Sequence, residues 1–402
     1  MSTIHSPPVS YLTRCLASPF SAYTAGFLLA MWVYSLGYSD LYPQLQISLV
    51  SFLLVTCAIC GWLATVVGTI TDTCQYGDES LNFHIVVFLS LAGLFVAECV
   101  YSGGVPLLSA AAGGDSDYES FGIPTVNVAF VGFTLFFAVY WLDLYLLRYG
   151  RVYLLFSVLA ASTSILMVHR GGFIIDFVAA IFLYVQRRGL ERKLIISFTV
   201  VITAMLWGFG ALGDLRTHNV SGESVILGVG RASDKFLNSN IPTAFFWPYL
   251  YISSPLSNLQ LNMTNRVATD RPVLYMELEL LPDFVSKRLV PEDVVPSTLP
   301  LQVTEELNVS TMYARPFLLM GWLGVLFSFT YFVVIVLVCL TILRGSKYFV
   351  AASSILSSLG FLNIFANMYL FAGGITLVLA AILLHLFERP AANGDVKRSL
   401  RA

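Results

Sequence analysis

The chain has 402 residues, of which 57% are hydrophobic and only 11% charged, with a formal net charge of −2. A soluble globular chain carries roughly a quarter of its residues as charges, and here the apolar residues gather into long runs, so a soluble globular fold is excluded. No dense Lys/Arg patch points to nucleic acid, and no series of short alternating strands points to a β-barrel. The expected class is an all-α polytopic membrane protein.

Taken in order, the apolar runs long enough to approach a span of about 20 residues fall at 20–38, 45–69, 83–101, 124–147, 152–168, 172–186, 194–212, 316–342, 348–366 and 368–387, ten in all. The pair 152–168 and 172–186 is short and joined only by His169, Arg170 and glycines, which suits a tight or re-entrant hairpin. Cys57 and Cys60 form a C-x-x-C inside an apolar run and read as buried small hydrophobes. The 102–123 connector, rich in glycine and serine with a small acidic cluster, reads as a solvated linker, with a lid as the alternative.

Positive charge orients the threading. With Arg14 and both termini in the cytoplasm, RYGR at 148–151, RRGLERK at 187–193, RGSK at 344–347 and the basic tail all fall inside. The connectors at 39–44, 102–123, the HRGG turn and the junction near Asn367 fall outside, and Arg170 alone breaks their lack of basic residues. The chain divides into an N-terminal bundle of about seven helices at 1–212, a large loop at 213–315, and about three helices with a cytoplasmic tail at 316–402.

The 213–315 segment holds prolines and charges that rule out a span, and it is far longer than a connector needs to be. Its stretch 245–262 is aromatic, and Trp247, Tyr249 and Tyr251 suit a headgroup-level helix or a sugar-stacking surface. The stretch 276–289 places Leu280, Phe284 and Leu289 near one face, as an interfacial amphipathic helix would, with Lys287 and Arg288 available to anionic headgroups.

On the outer side lie Arg170, Arg216, Arg231, Arg266, Arg271, Arg288 and Arg315, against the charge rule. Arg170, Arg216 and Arg315 are each within a few residues of a predicted span, where an arginine snorkels, pairs with an acid or binds phosphate. Two glycines follow Arg170 and let backbone come close to a ligand or a neighbouring helix. Asp176, inside a span, reads either as the partner of another polar group or as the holder of an arginine. His169, His218 and Asp214 are the available proton acceptors. No His-x-x-x-His, Cys/His cluster or DxD pair supports a metal site in the loop.

Four stretches, HRGG at 169–172, GDLR at 213–216, YLYISSPLSNLQLN at 249–262 and LNVSTMYARPFLLMGWLGVLF at 307–327 with its G-x-x-G of Gly321 and Gly324, carry a resemblance. With them the chain resembles the bacterial oligosaccharide repeat-unit polymerases, the Wzy or O-antigen polymerase family. The resemblance implies a GT-C-like glycosyltransferase of the inner membrane that needs neither metal nor cofactor. It would move a growing glycan from undecaprenyl diphosphate onto the non-reducing end of a new lipid-linked repeat at the periplasmic face. Its implied partners are lipid-linked oligosaccharides, membrane lipids, a Wzz-type chain-length regulator and a flippase. On that reading Arg170, Arg216 and Arg315 bind diphosphate, with Arg231, Arg266 and His169 in the binding set. Arg170 also stabilises charge on the leaving group, and His218 or Asp214 is the base. Asn308, Thr311, Tyr313 and Tyr251 contact sugar. The O-antigen ligase and a lipid-linked oligosaccharide flippase are the alternatives.

Overall fold

The computed structural model describes residues 10–68, 80–111, 121–217, 225–291 and 293–399. Among these residues the chain is helical, with a lone β-bridge between Ser39 and Ala232 and no strand. The first part comprises α1 (Tyr11–Leu16), α2 (Pro19–Ser35), α3 (Ile47–Val67), α4 (Leu81–Tyr101), α5 (Pro106–Ala111), α6 (Val126–Leu146), α7 (Arg151–Leu166), α8 (Arg170–Arg188) and α9 (Arg192–Thr217). Short helices α10 (Val225–Val229) and α11 (Asp234–Leu237) lead to the long α12 (Phe246–Asn265), then α13 (Pro272–Glu279) and α14 (Asp283–Leu289). The chain ends with α15 (Ala314–Leu343), α16 (Phe349–Leu362) and α17 (Ala372–Ser399).

A helix stands at each of the ten predicted spans. Four of them, α3, α4, α6 and α15, are long and apolar enough to cross a membrane by length and composition. α7, α16 and the apolar parts of α9 and α17 are shorter. α4 turns Val86, Leu89, Val96 and Val100 outward, which hydrocarbon tolerates and water does not.

α16 is the hub of the bundle, packed against α2 and α8. Its sequence FVAASSILSSLGFL is dominated by small residues, which let membrane helices approach closely without a hydrophobic driving force between them. A Cβ at Gly360 would lie 2.7 Å from the Pro19 carbonyl, and one at Gly26 would lie 2.5 Å from that of Phe361. Ser357 donates to the carbonyl of Ala17 at 2.9 Å and Ser358 to that of Ile175 at 2.8 Å, so serines tie the hub to its neighbours. At one end of α6 and α8, Arg187 holds Asp143 through two bonds at 2.5 and 2.7 Å, with the pair 5% and 0% exposed.

α15 is not one straight span. Met320 (φ −141°) and Gly321 (φ 58°, ψ −143°) leave the helical region and detach a short first piece from the long remainder. The break frees carbonyls, and the loop after α12 supplies donors: Thr269 N–H reaches Leu318 O and Arg271 N–H reaches Leu319 O, both at 2.9 Å. The glycines at 321 and 324 thus serve backbone geometry, since a Cβ at Gly324 would also sit 2.2 Å from the Pro316 carbonyl.

Two further expectations need correction. The stretch 276–289 is not one amphipathic helix: Pro282, which lacks a backbone N–H, stands at the N-cap of α14 and separates it from α13. The junction near Asn367 is wider than expected, because α16 stops at Leu362 and α17 starts at Ala372. Of the 213–315 segment, α12 packs against α2, α9 and α15, and its Phe246, Tyr249 and Leu250 join Val33, Phe236 and Leu307 in a second apolar core. Most of the acidic part of the 102–123 connector lies outside the described residues.

Candidate functional site

A cleft of about 240 Å³ forms where the end of α13, the 299–316 segment and the α16–α17 connector meet. Two buried asparagines on α12 back one wall from behind. Asn258 donates to the carbonyls of Leu307 and Val309, each at 2.7 Å, and accepts from Val303 N–H at 2.8 Å. Asn262 exchanges a pair of bonds with the backbone of Leu301, both at 2.8 Å. Both side chains are fully buried. They satisfy the backbone of an irregular segment that bends and turns at 303–306, and so fix its course.

The facing wall is the connector. Met312 N–H reaches Asn363 O at 3.1 Å, Asn363 Oδ1 accepts from Met368 N–H at 3.1 Å, and Asp283 N–H reaches Leu370 O at 3.0 Å. These bonds pin three distant parts of the chain around one space.

Arg315, in the first turn of α15, enters the cleft from the short piece ahead of the Gly321 break. Its Nε donates to Glu279 Oε1 at 2.5 Å and its Nη2 to Leu278 O at 3.3 Å. Glu279 is 2% exposed and Arg315 30%. Burial lifts the Glu279 carboxyl above its usual range, and the Arg315 charge works in the opposite direction.

Several cleft polar groups are underemployed. Ser310 Oγ and both amide atoms of Asn367 are buried without a well-formed hydrogen bond, although Asn367 lies beside Glu279 and favours its charged form. An unpaired buried polar group costs about 1–3 kcal/mol.

Of the residues expected from sequence, Asn308, Thr311 and Arg315 come together here. Tyr313 does not face the cleft: it is fully buried, its hydroxyl 2.5 Å from that of Tyr23, its ring against Phe27 and Phe52. The chain dips inward at 312–314, so an aromatic expected at a sugar surface fills the core instead. Tyr251 is half-buried on α12 against Trp247 and lines no part of the cleft. Tyr249 belongs to the second core and accepts from Tyr38 N–H at 3.1 Å.

Arg266 follows α12, exposed and outside the cleft lining, and exposed Arg231 gives its carbonyl to Asp40 N–H at 2.9 Å near the α2–α3 connector. Arg170 opens α8 and Asp214 and Arg216 lie near the end of α9, but their side chains are outside the described set, as is all of His218. His169 caps α8 in a niche left by Gly172 and Gly373, where burial lowers its pKa. It stands beside the start of α17, not in the cleft lining.

Glu279, Ser310 and Asn367 are polar cleft residues that sequence reasoning missed. Glu279 read as the polar side of an amphipathic helix and Asn367 as a bare junction. The one available signal was an acid in a segment followed by a proline break.

No family model, curated protein or solved structure matches the chain. Fold and site together define an α-helical membrane protein with a polar, arginine-bearing cleft between its bundle and its long middle segment.

Proposed function

We propose that the protein is a membrane glycosyltransferase that polymerises lipid-diphosphate-linked oligosaccharide repeats, with the cleft at Arg315 on the periplasmic side of a bacterial inner membrane. The observation that carries this reading is Arg315 itself, held by buried Glu279 and the Leu278 carbonyl, its side chain 30% exposed in a polar cleft. A guanidinium so held is a fixed donor for phosphate oxygens, and Asn308, Thr311, Ser310 and Asn367 are of the kind that bind sugar hydroxyls.

In the reaction, an acceptor hydroxyl attacks the anomeric carbon of the lipid-linked glycan, and the bond to the diphosphate breaks. The diphosphate leaves with the electron pair on its lipid, and the hydroxyl proton passes to a base, assigned to His218 or Asp214. Arg315, with Arg170 and Arg216, offsets the charge that develops on the leaving group, commonly the largest catalytic contribution. Glu279 positions Arg315. Holding both lipid-anchored substrates side by side contributes the remaining rate through orientation. A chain-length regulator and a flippase are the partners this activity needs.

The test is the lipopolysaccharide banding pattern of a strain lacking the gene. Core bearing a single repeat with no ladder is expected. Core with no repeat would assign the protein to ligation or flipping instead, and an unchanged ladder would overturn the O-antigen reading.

A further inference from the structure

A second polar group stands apart from the cleft. The Asp176 side chain on α8 is 7% exposed, and neither carboxylate oxygen has a hydrogen-bond partner. The sequence offered two explanations, a polar partner within the bundle or an arginine to hold, and the structure supplies neither. The nearest arginine along α8 with a described partner, Arg187, is committed to Asp143.

Asp176 borders a cavity of about 180 Å³ between α6, α7 and α8. The space exists because Ala138, Ala161 and Ala180, one from each helix, contribute almost no side chain to it. Phe173 and Phe177, with rings 6.4 Å apart and near parallel, form an aromatic wall. Among the described residues one other polar side chain lines the cavity, Ser157, and its hydroxyl proton is given to the Ala138 carbonyl at 2.7 Å. The polar groups bordering the space are thus the buried Asp176 carboxyl, which has no partner, and a hydroxyl whose proton is already given away. Among the described residues no lysine, arginine or histidine lines it.

The geometry points to a binding site for a small organic cation, an ammonium group on an apolar body. The ammonium neutralises and bonds Asp176, the apolar body fills the alanine-lined space, and the phenylalanine faces add cation–π attraction. Alone in an apolar bundle a carboxyl keeps its proton, and an ammonium beside it is what lets it ionise. A cation with a hydrophobic tail is the ligand chemistry that meets both the charge and the lining. A bare metal ion is a poor match, since the lining offers too few oxygens to replace its hydration shell.

The test uses the full chain in phosphatidylcholine nanodiscs at pH 7, titrated with benzylamine and with ethylbenzene, its uncharged isostere. Benzylamine is expected to raise the thermal midpoint of the wild type and ethylbenzene to do so far less. Asp176→Asn should weaken benzylamine binding by about tenfold or more, because it removes the charge while keeping the shape. Ala161→Leu, which fills the cavity and leaves Asp176 in place, should abolish the shift and keeps the test open should Asp176→Asn fold poorly. Equal benzylamine binding by wild type and Asp176→Asn would overturn the proposal. So would equal stabilisation by ethylbenzene, which marks an apolar cavity only, or no stabilisation of the wild type by benzylamine.

Discussion

The guanidinium of Arg315 meets the carboxylate of Glu279 at 2.5 Å across 36 positions of chain, the acid buried and the arginine partly open to the cleft. The asymmetry matters. A fully buried pair would be structural and a fully exposed one worth little. Here the acid and the Leu278 carbonyl hold part of the guanidinium, and its exposed part stays available to a ligand without a further loss of side-chain freedom.

Arg315→Ala is accordingly expected to abolish the polymer ladder, and Arg315→Lys to impair it severely. A lysine ammonium cannot hold Glu279 and present a planar fork at once. Arg315→Ala should also lower stability by roughly 2–3 kcal/mol through the stranded buried acid, less than for a fully buried pair because Arg315 is partly solvated. Adding Glu279→Gln to Arg315→Ala should recover most of that stability and none of the activity. Recovery of the ladder in the double variant would move Arg315 out of the site. Banding patterns and denaturation midpoints read the two effects separately.

The same pair sets a pH dependence. Burial raises the Glu279 carboxyl above its ordinary value of 4.5 despite Arg315. The folded state therefore binds this proton more tightly than the unfolded chain does. The associated stability is complete below about pH 4.5 and is lost as pH rises through the folded-state value. Glu279→Gln does not titrate. The stability of the wild type relative to Glu279→Gln should thus fall on going upward from pH 4.5 and then level off. A difference that grows with pH would mean that the attraction of Arg315 outweighs burial.

Asp143 and Arg187 form the opposite kind of pair, bidentate and sealed on both sides. Removing one partner, as in Asp143→Ala, should cost about 3–5 kcal/mol because the other charge is left buried alone. Replacing both with leucine and methionine should be far milder. Thermal midpoints of the single and double variants in one detergent decide this, and additive losses would contradict it.

How much of this was legible in the sequence follows from range. Helices at the predicted spans come from local apolar runs, and the run does not change character whether the helix is straight or broken. That is why α15 read as one span although Gly321 breaks it. Arg315 was singled out by its place beside a predicted span, and Asn308 and Thr311 by the resemblance; the three meet at the cleft because they lie within one short stretch of chain. Glu279 and Asn367 reach the same cleft from far along the chain, and no local pattern marks them. Tyr313 was misplaced for a related reason. Its neighbours read as a helix start at a surface, whereas the dip at 312–314 that carries it to Tyr23 depends on Asn363 accepting from Met312. Asn258 and Asn262 lay in a noted stretch, but their role as backbone partners for 301–309 needs the fold.

Gly321 gives the last prediction. Its φ of 58° with ψ of −143° is a backbone region almost closed to residues with a Cβ, and an added Cβ would also press on Ala268 at 3.3 Å. Gly321→Ala should cost about 1–3 kcal/mol in strain, or else straighten α15 and withdraw the Leu318 and Leu319 carbonyls from Thr269 and Arg271. Straightening would carry Arg315 away from Glu279, since Arg315 rides on the piece ahead of the break. Either way polymer length and yield should fall. Gly93→Ala on α4, where an added Cβ meets nothing within 4 Å, is the matched control and should leave both unchanged. If Gly321→Ala kept full stability and a normal ladder, the break in α15 would have no part in presenting Arg315.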